Sequence, residues 1–154
     1  MPDPAAPDPA PLDAHLGYWL RLVSNAVSES FAAGLAERGV SVAEWVALRL
    51  LFDAPSPPSR LAARMALTRG AVTKIADRLA ARGLVARAAD PGDGRGQVLA
   101  LTGAGRALVP ELARIADAND AAFFAALPEA EQAALRRLLA GIADRRGLAA
   151  PPVG

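Results

Sequence analysis

A chain of 154 residues without cysteine has room for one cored unit or a compact pair of lobes sharing a core, and it excludes disulfides, thiolate metal sites and thiol redox switching. Hydrophobic residues make up 53% and aromatics only 5%, so the core must be built from Ala, Leu and Val, a mix that favours closely packed helices and a mostly α class. The net charge of +1 hides a division: residues 60–106 carry eight Arg and Lys74 against Asp77, Asp90 and Asp93, net +6, while the remainder carries eight basic and thirteen acidic groups, net −5. A basic middle between acidic ends is the footprint of a phosphate-facing segment, with an ordinary solvated surface as the alternative.

Residues 1–11 and 149–154 are rich in Pro and Ala without apolar periodicity and are expected to be disordered tails. The opening stretch has no basic segment followed by an apolar run, and no stretch reaches the roughly 18 apolar residues of a membrane span. The expectation is a cytoplasmic protein with no membrane partner. Asp13 is a plausible N-cap for a long first helix, because Leu16, Trp19, Leu20, Val23, Val27, Phe31 and Leu35 follow the rhythm of one amphipathic face up to Gly39. Ser41 and Glu44 then form a capping box, with Val40 and Trp45 as its hydrophobic staple. A second helix therefore starts at Val42, carries Leu48, Leu51 and Phe52, and stops before Pro55.

The run PSPPS reads as a linker whose Ser59 caps a short third helix over 60–65. Thr68 caps a fourth, in which Val72, Ile75, Ala76 and Leu79 form one stripe ending at Gly83. Strands are predicted over 84–89 and 97–101, joined by the Pro- and Gly-rich loop 90–96. Thr102 caps a fifth helix with Leu108, Leu112, Ile115 and Phe123 on one side. After Leu127-Pro128 a sixth runs over 129–146, with Leu135, Leu138, Leu139 and Ile142 as its stripe.

The order α-α-α-α-β-β-α-α, with a helix, a tight turn and a helix followed by a hairpin, is that of a mostly α winged helix-turn-helix. Its central unit of about 45 residues needs neither terminal helix for its own core. The apolar stripes at both ends are best buried against a second copy, in a two-fold homodimer. The predicted organisation is an N-terminal dimerisation helix over 12–39, a DNA-binding domain over 40–101 and C-terminal dimerisation helices over 102–148, between the two tails.

Opposite its apolar stripe the fourth helix carries Thr73, Lys74, Asp77 and Arg78, with Arg69 and Gly70 in its first turn, where the dipole and free amides favour phosphate. Such a face fits the major groove of double-stranded DNA, and Arg95 at the glycine-rich hairpin tip suits the minor groove. Gly70 either lets the helix approach the DNA backbone or is a tolerated glycine at a helix start.

Residues 61–108, LAARMALTRGAVTKIADRLAARGLVARAADPGDGRGQVLALTGAGRAL, resemble the MarR family, the multiple antibiotic resistance regulators, and the flanking helices are similar to its dimerisation elements. The most specific part is Asp90-Pro-Gly-Asp93-Gly-Arg95, followed by Leu-Thr-x-x-Gly over 101–105. The resemblance implies that Asp93 holds Arg95 in place, that the default output is repression, and that a phenolic or other aromatic effector binds between the dimerisation and DNA-binding parts. His15, Tyr18 and Trp19 on the first helix and Trp45 and Arg49 on the second are candidates to line such a pocket, although aromatics at helical spacing equally serve a core.

Two residues depart from the family pattern. Ala66 stands where the family often has Gly in the turn, and Pro110 falls inside the fifth helix, where it is expected to kink it. No nucleophile, base or metal constellation is visible, so neither an enzyme nor a cofactor is expected. A winged helix serving only as a protein-interaction module is the remaining alternative. Such a module would present neutral or apolar residues in place of Arg69, Lys74, Arg78 and Arg95.

Overall fold

A computed structural model describes residues 8–154; the first seven residues of the predicted N-terminal tail lie outside the described residues. After a single 3-10 turn at Leu12–Ala14 come α1 (Leu16–Ala36), α2 (Val42–Asp53), α3 (Pro58–Met65), α4 (Arg69–Ala81), β1 (Val85–Asp90), β2 (Asp93–Leu101), α5 (Gly103–Phe124) and α6 (Glu129–Arg145). Six helices and a two-stranded antiparallel sheet make the mostly α winged helix-turn-helix that the pattern predicts. One core holds it together: Leu48, Leu51, Leu61, Met65, Val72, Leu79 and Leu99 are fully buried, and so are Leu35 from the end of α1 and Leu112 from α5. Apolar burial of this kind stabilises at roughly 25 cal/mol per Å².

Three predicted caps form as expected. The Ser41 hydroxyl accepts from the Glu44 amide at 3.1 Å and the Glu44 carboxylate accepts from the Ser41 amide at 2.9 Å. Thr68 caps α4 through the Ala71 amide and Thr102 caps α5 through the Gly105 amide, both at 3.1 Å. Two other predicted caps do not. Asp13 lies in the 3-10 turn, and His15 holds the N-cap position of α1. The Asp13 carbonyl instead accepts the indole N–H of Trp19 at 2.8 Å. Helix α3 starts at Pro58, ahead of Ser59, with Pro57 at the N-cap; proline suits a first helical position because it has no amide proton to leave unpaired.

The PSPPS stretch is more than a linker. Ser56 is buried and pairs with Leu99 through two backbone hydrogen bonds of 3.0 and 2.9 Å, so it adds one residue to the hairpin's edge. A buried backbone must find partners, and Pro57 and Pro58 have no amide to offer. The hairpin itself is longer than predicted. Strand β2 begins at Asp93, not Gln97, because the register jumps from Ala89↔Gln97 to Asp90↔Asp93. Gly94, Arg95 and Gly96 are therefore bulged out of the ladder, a conformation that glycine on either side favours.

Helix α5 continues through Pro110 without a break. Its Gly105 is buried where a Cβ would overlap the Leu84 carbonyl. Helix α1 packs along α5, with a Cβ on Gly34 excluded by Ile115 at 2.8 Å, and Asn119 Nδ2 donates to the Val27 carbonyl at 3.2 Å. The outer ends are bare: α6 buries no residue completely, and Leu16, Trp19, Leu20, Leu138 and Ile142 are exposed. Residues 149–154 have no helix or strand, yet Val153 packs against the core, which a fully detached tail would not do.

Candidate nucleic-acid interface

Helix α4 sits on the core through Val72, Ile75, Ala76 and Leu79 and turns Arg69, Gly70, Thr73, Lys74, Asp77 and Arg78 outward. Its approach is set by the turn before it, where Ala66 takes a left-handed conformation with φ 52° and ψ 38°. Arg69 and Lys74 enter no ion pair among the described residues, so their charge is available to an anion. A Cβ on Gly70 would meet nothing closer than the Thr68 hydroxyl at 4.0 Å, which leaves open backbone at the positive end of the helix. The Thr73 hydroxyl donates to the Arg69 carbonyl at 2.9 Å. Its proton being committed to its own helix, Thr73 is left with a methyl group and oxygen lone pairs on the exposed face.

Arg78 is tied inward as well as exposed. Its Nε donates to Glu44 Oε1 at 2.9 Å, joining α4 to the capping box of α2. Burial pushes the Glu44 carboxyl up, but the Ser41 amide, the Arg78 guanidinium and the Ser41 hydroxyl outweigh it and hold Glu44 below the usual carboxylate range. Asp77 accepts from Arg87 of β1 at 2.8 Å and so fastens α4 to the first strand of the wing. Arg87 and Arg82 were not among the residues that the sequence pattern singles out. Their signals are an exposed arginine within a strand and an arginine just before the Gly83 terminator.

At the wing tip, Asp90 Oδ1 accepts from the Gly92 amide at 2.9 Å and Asp93 Oδ1 accepts from the Arg95 amide at 3.1 Å. Asp93 therefore holds the backbone of Arg95, and the guanidinium projects from the bulge without an ion pair among the described residues.

The aromatic candidates divide into two groups. Tyr18 and Trp19 meet edge to face at 5.2 Å in the first turn of α1, next to His15. Trp45 packs edge to face on Phe31 at 6.5 Å; Phe31 lies twelve residues beyond Trp19, roughly 18 Å along a helix. Arg49 pairs with Asp53 at 2.7 Å and lies over the Phe52 ring at 5.7 Å. The Tyr18–Trp19 contact and the Trp45–Phe31 contact are thus separate clusters along α1. A cleft of about 160 Å³ between α5 and α6 is lined by Asp120, Phe124, Gln132, Leu135, Arg136 and Leu139. A wider one of about 780 Å³ lies between Leu50, Ala63, Arg64 and residues 147–151. Among the described residues no group of three His, Asp or Glu is placed to hold a metal ion, and no helix is long and apolar enough to cross a membrane.

A profile of the MarR family matches residues 38–96, the stretch from the end of α1 to the wing tip. The HTH-type transcriptional repressor Rv2887 of Mycobacterium tuberculosis is 34% identical over 128 residues, which are 82% of this chain and 92% of the relative. Its crystal structure in complex with salicylic acid has a TM-score of 0.66 at 32% identity, covering 88% of this chain and 98% of that one. CouR from Rhodococcus jostii RHA1, bound to p-coumaroyl-CoA, has a TM-score of 0.75 at 28% identity over 88% of this chain and 96% of that chain. The structure describing regulation of DNA binding of Bordetella bronchiseptica BpsR by 6-hydroxynicotinic acid has a TM-score of 0.74 at 28% identity, covering 88% and 98%.

Proposed function

The chain belongs to the MarR family and is a DNA-binding transcription regulator, and from that premise we propose that it is a homodimeric repressor that a small aromatic ligand releases from a pseudo-palindromic operator. The observation that carries the DNA contact is the outward face of α4, on which Arg69 and Lys74 are uncommitted, together with the bulged Arg95 of the wing, which likewise enters no ion pair among the described residues. Arg69 and Gly70 meet phosphate at the helix N-terminus, Thr73 and Lys74 reach base edges, and Arg95 enters the adjacent minor groove. Asp93 positions Arg95 through its amide. Arg78 supports the recognition helix from Glu44 and uses its outer edge for phosphate.

The second copy covers the apolar residues left bare on α1 and α6, among them Leu16 at 88% exposure and Leu138 at 60%. Two-fold symmetry then sets the recognition helices in successive major grooves, about one helical turn of DNA apart. For the effector, the relative in complex with salicylic acid and the one whose DNA binding is regulated by 6-hydroxynicotinic acid make a planar aromatic acid the class to test. Trp45 and Phe31 offer such a ring an aromatic surface, with Arg49 one turn away; its exposed pair with Asp53 is weak enough to exchange for a ligand carboxylate. In the dimer, His15, Tyr18 and Trp19 at the exposed start of α1 supply the remaining wall.

Sequencing the duplexes that the purified protein retains from a random pool tests the reading. The expected result is a shared motif with two-fold related half-sites, competed away by an aromatic acid that also quenches tryptophan fluorescence. Retention of no common motif would overturn base readout and favour a protein-interaction module.

A further inference from the structure

We propose that Arg82 is a positioning residue that fixes the recognition helix against α1, and thereby sets the half-site spacing the dimer accepts. The inference rests on the dimeric, operator-binding reading above. Arg82 caps the C-terminal end of α4, far from the N-terminal half that faces the bases, and its guanidinium turns toward α1. Nη1 donates to the Gly39 carbonyl at 2.6 Å and Nη2 to the Arg38 carbonyl at 3.2 Å. Both carbonyls belong to the turn that ends α1, where carbonyls lack helical partners and the helix dipole is negative. Gly39 makes that turn with φ 66°, and a Cβ there would lie 3.7 Å from Arg82 Nη2.

The same turn is held from the other side. Arg38 Nη1 meets Glu111 Oε2 of α5 at 2.6 Å, so the turn at 38–39 is a joint between the recognition helix and the two long helices assigned to the dimer lobe. Among the described residues, the Arg82 bonds are the side-chain hydrogen bonds that join α4 to α1; the remaining ties of α4 run to the wing through Asp77 and to α2 through Arg78. Two bonds from one planar fork fix orientation as well as distance, which a point charge such as lysine does less well. The lever is long. Over a helix of about 20 Å, a tilt of about 10° at this end moves the other by about 3 Å, close to the 3.4 Å rise of one base pair. In a two-fold dimer the error enters twice.

Two measurements on the full-length protein test this. In the first, affinities are compared for operators whose half-sites are moved apart or together by one base pair. The parent protein should prefer the selected spacing by tenfold or more. Arg82→Gln should reduce that preference to threefold or less while leaving base preference within each half-site and the sedimenting species unchanged, with Arg82→Lys between. An equal loss at every spacing, or an unaltered preference, would overturn the inference while leaving the repressor reading intact. The second needs no DNA. The chain has no cysteine, so Ser24→Cys and Lys74→Cys can be spin-labelled and diluted with unlabelled protein. A narrow distance distribution that broadens on Arg82→Gln supports the joint, and one that stays narrow and unshifted overturns it. Should Arg82→Gln fold poorly, Glu111→Gln opens the joint from the α5 side and must broaden the same distribution.

Discussion

Glu44 serves two elements at once: its carboxylate closes the capping box of α2 with the Ser41 amide at 2.9 Å and accepts the Arg78 Nε–H of the recognition helix, also at 2.9 Å. The side chain of Glu44 is 8% exposed and that of Arg78 is 56% exposed. The acid is thus held inside by donors, and the arginine reaches in from the exposed face of α4.

Because these donors depress the Glu44 carboxyl, the unfolded chain binds its proton more readily than the folded one. The stabilisation is complete above the ordinary carboxylate range and is lost as pH falls through the lower folded value. Acid titration of the thermal midpoint should show this loss, and Glu44→Gln should flatten that part of the curve. Arg78→Ala should cost about 1–2 kcal/mol at neutral pH, the lower end of the range for an unpaired buried acceptor because water reaches the arginine side. A curve of unchanged shape in Glu44→Gln would place the acid sensitivity elsewhere.

Ala66→Gly should stabilise the protein. The left-handed φ of 52° costs a residue with a Cβ about 1–2 kcal/mol, while the added chain entropy of glycine in the unfolded state returns about 0.4–1 kcal/mol of that. A gain of about 0.5–1 kcal/mol in denaturant titration is expected, and a loss would show that the turn relaxes in solution.

Gly105→Ala and Gly103→Ala, two residues apart, should behave in opposite ways. At 105 the new methyl overlaps the Leu84 carbonyl, backbone that cannot rotate aside, so the loss should reach about 3 kcal/mol or more. At 103 nothing lies within 4 Å of the new Cβ, and the substitution should be neutral or stabilise by up to about 1 kcal/mol. Equal effects at the two positions would refute the close approach of α5 to the start of the wing.

On DNA, Arg95→Ala should weaken selected and unrelated duplexes by similar factors and lower the salt slope by about 1 if the arginine also neutralises a phosphate. Lys74→Ala should lose discrimination between them. Thr73→Val keeps the methyl and removes only a hydroxyl whose proton is already committed to Arg69; it should bind within about threefold of the parent if the methyl meets thymine. Were Lys74→Ala to leave discrimination untouched, α4 would not be reading bases through this face.

What the sequence by itself determined lies within a few residues of its own cause. Ser41 with Glu44, Thr68 and Thr102 could be read as caps because each side chain bonds an amide three positions on, and the buried stripe of α4 because helical period alone puts Val72, Ile75, Ala76 and Leu79 on one side. Ala66 could be marked as out of place through the family resemblance, which often has glycine at that point of the turn. Only the tertiary structure decided the rest. Ser56 pairs with Leu99 forty-three residues away, and Arg82 bonds the Gly39 carbonyl at the same separation. Gly105 is obligatory because of Leu84, and Arg78 turns in toward Glu44. The aromatic residues show the limit most clearly: periodicity puts Trp19 and Trp45 in apolar patterns, but Trp45 meets Phe31 while Trp19 lies with Tyr18 at the bare end of α1. A side chain's face follows from the local backbone period, whereas the surface that meets that face is set by how distant segments pack.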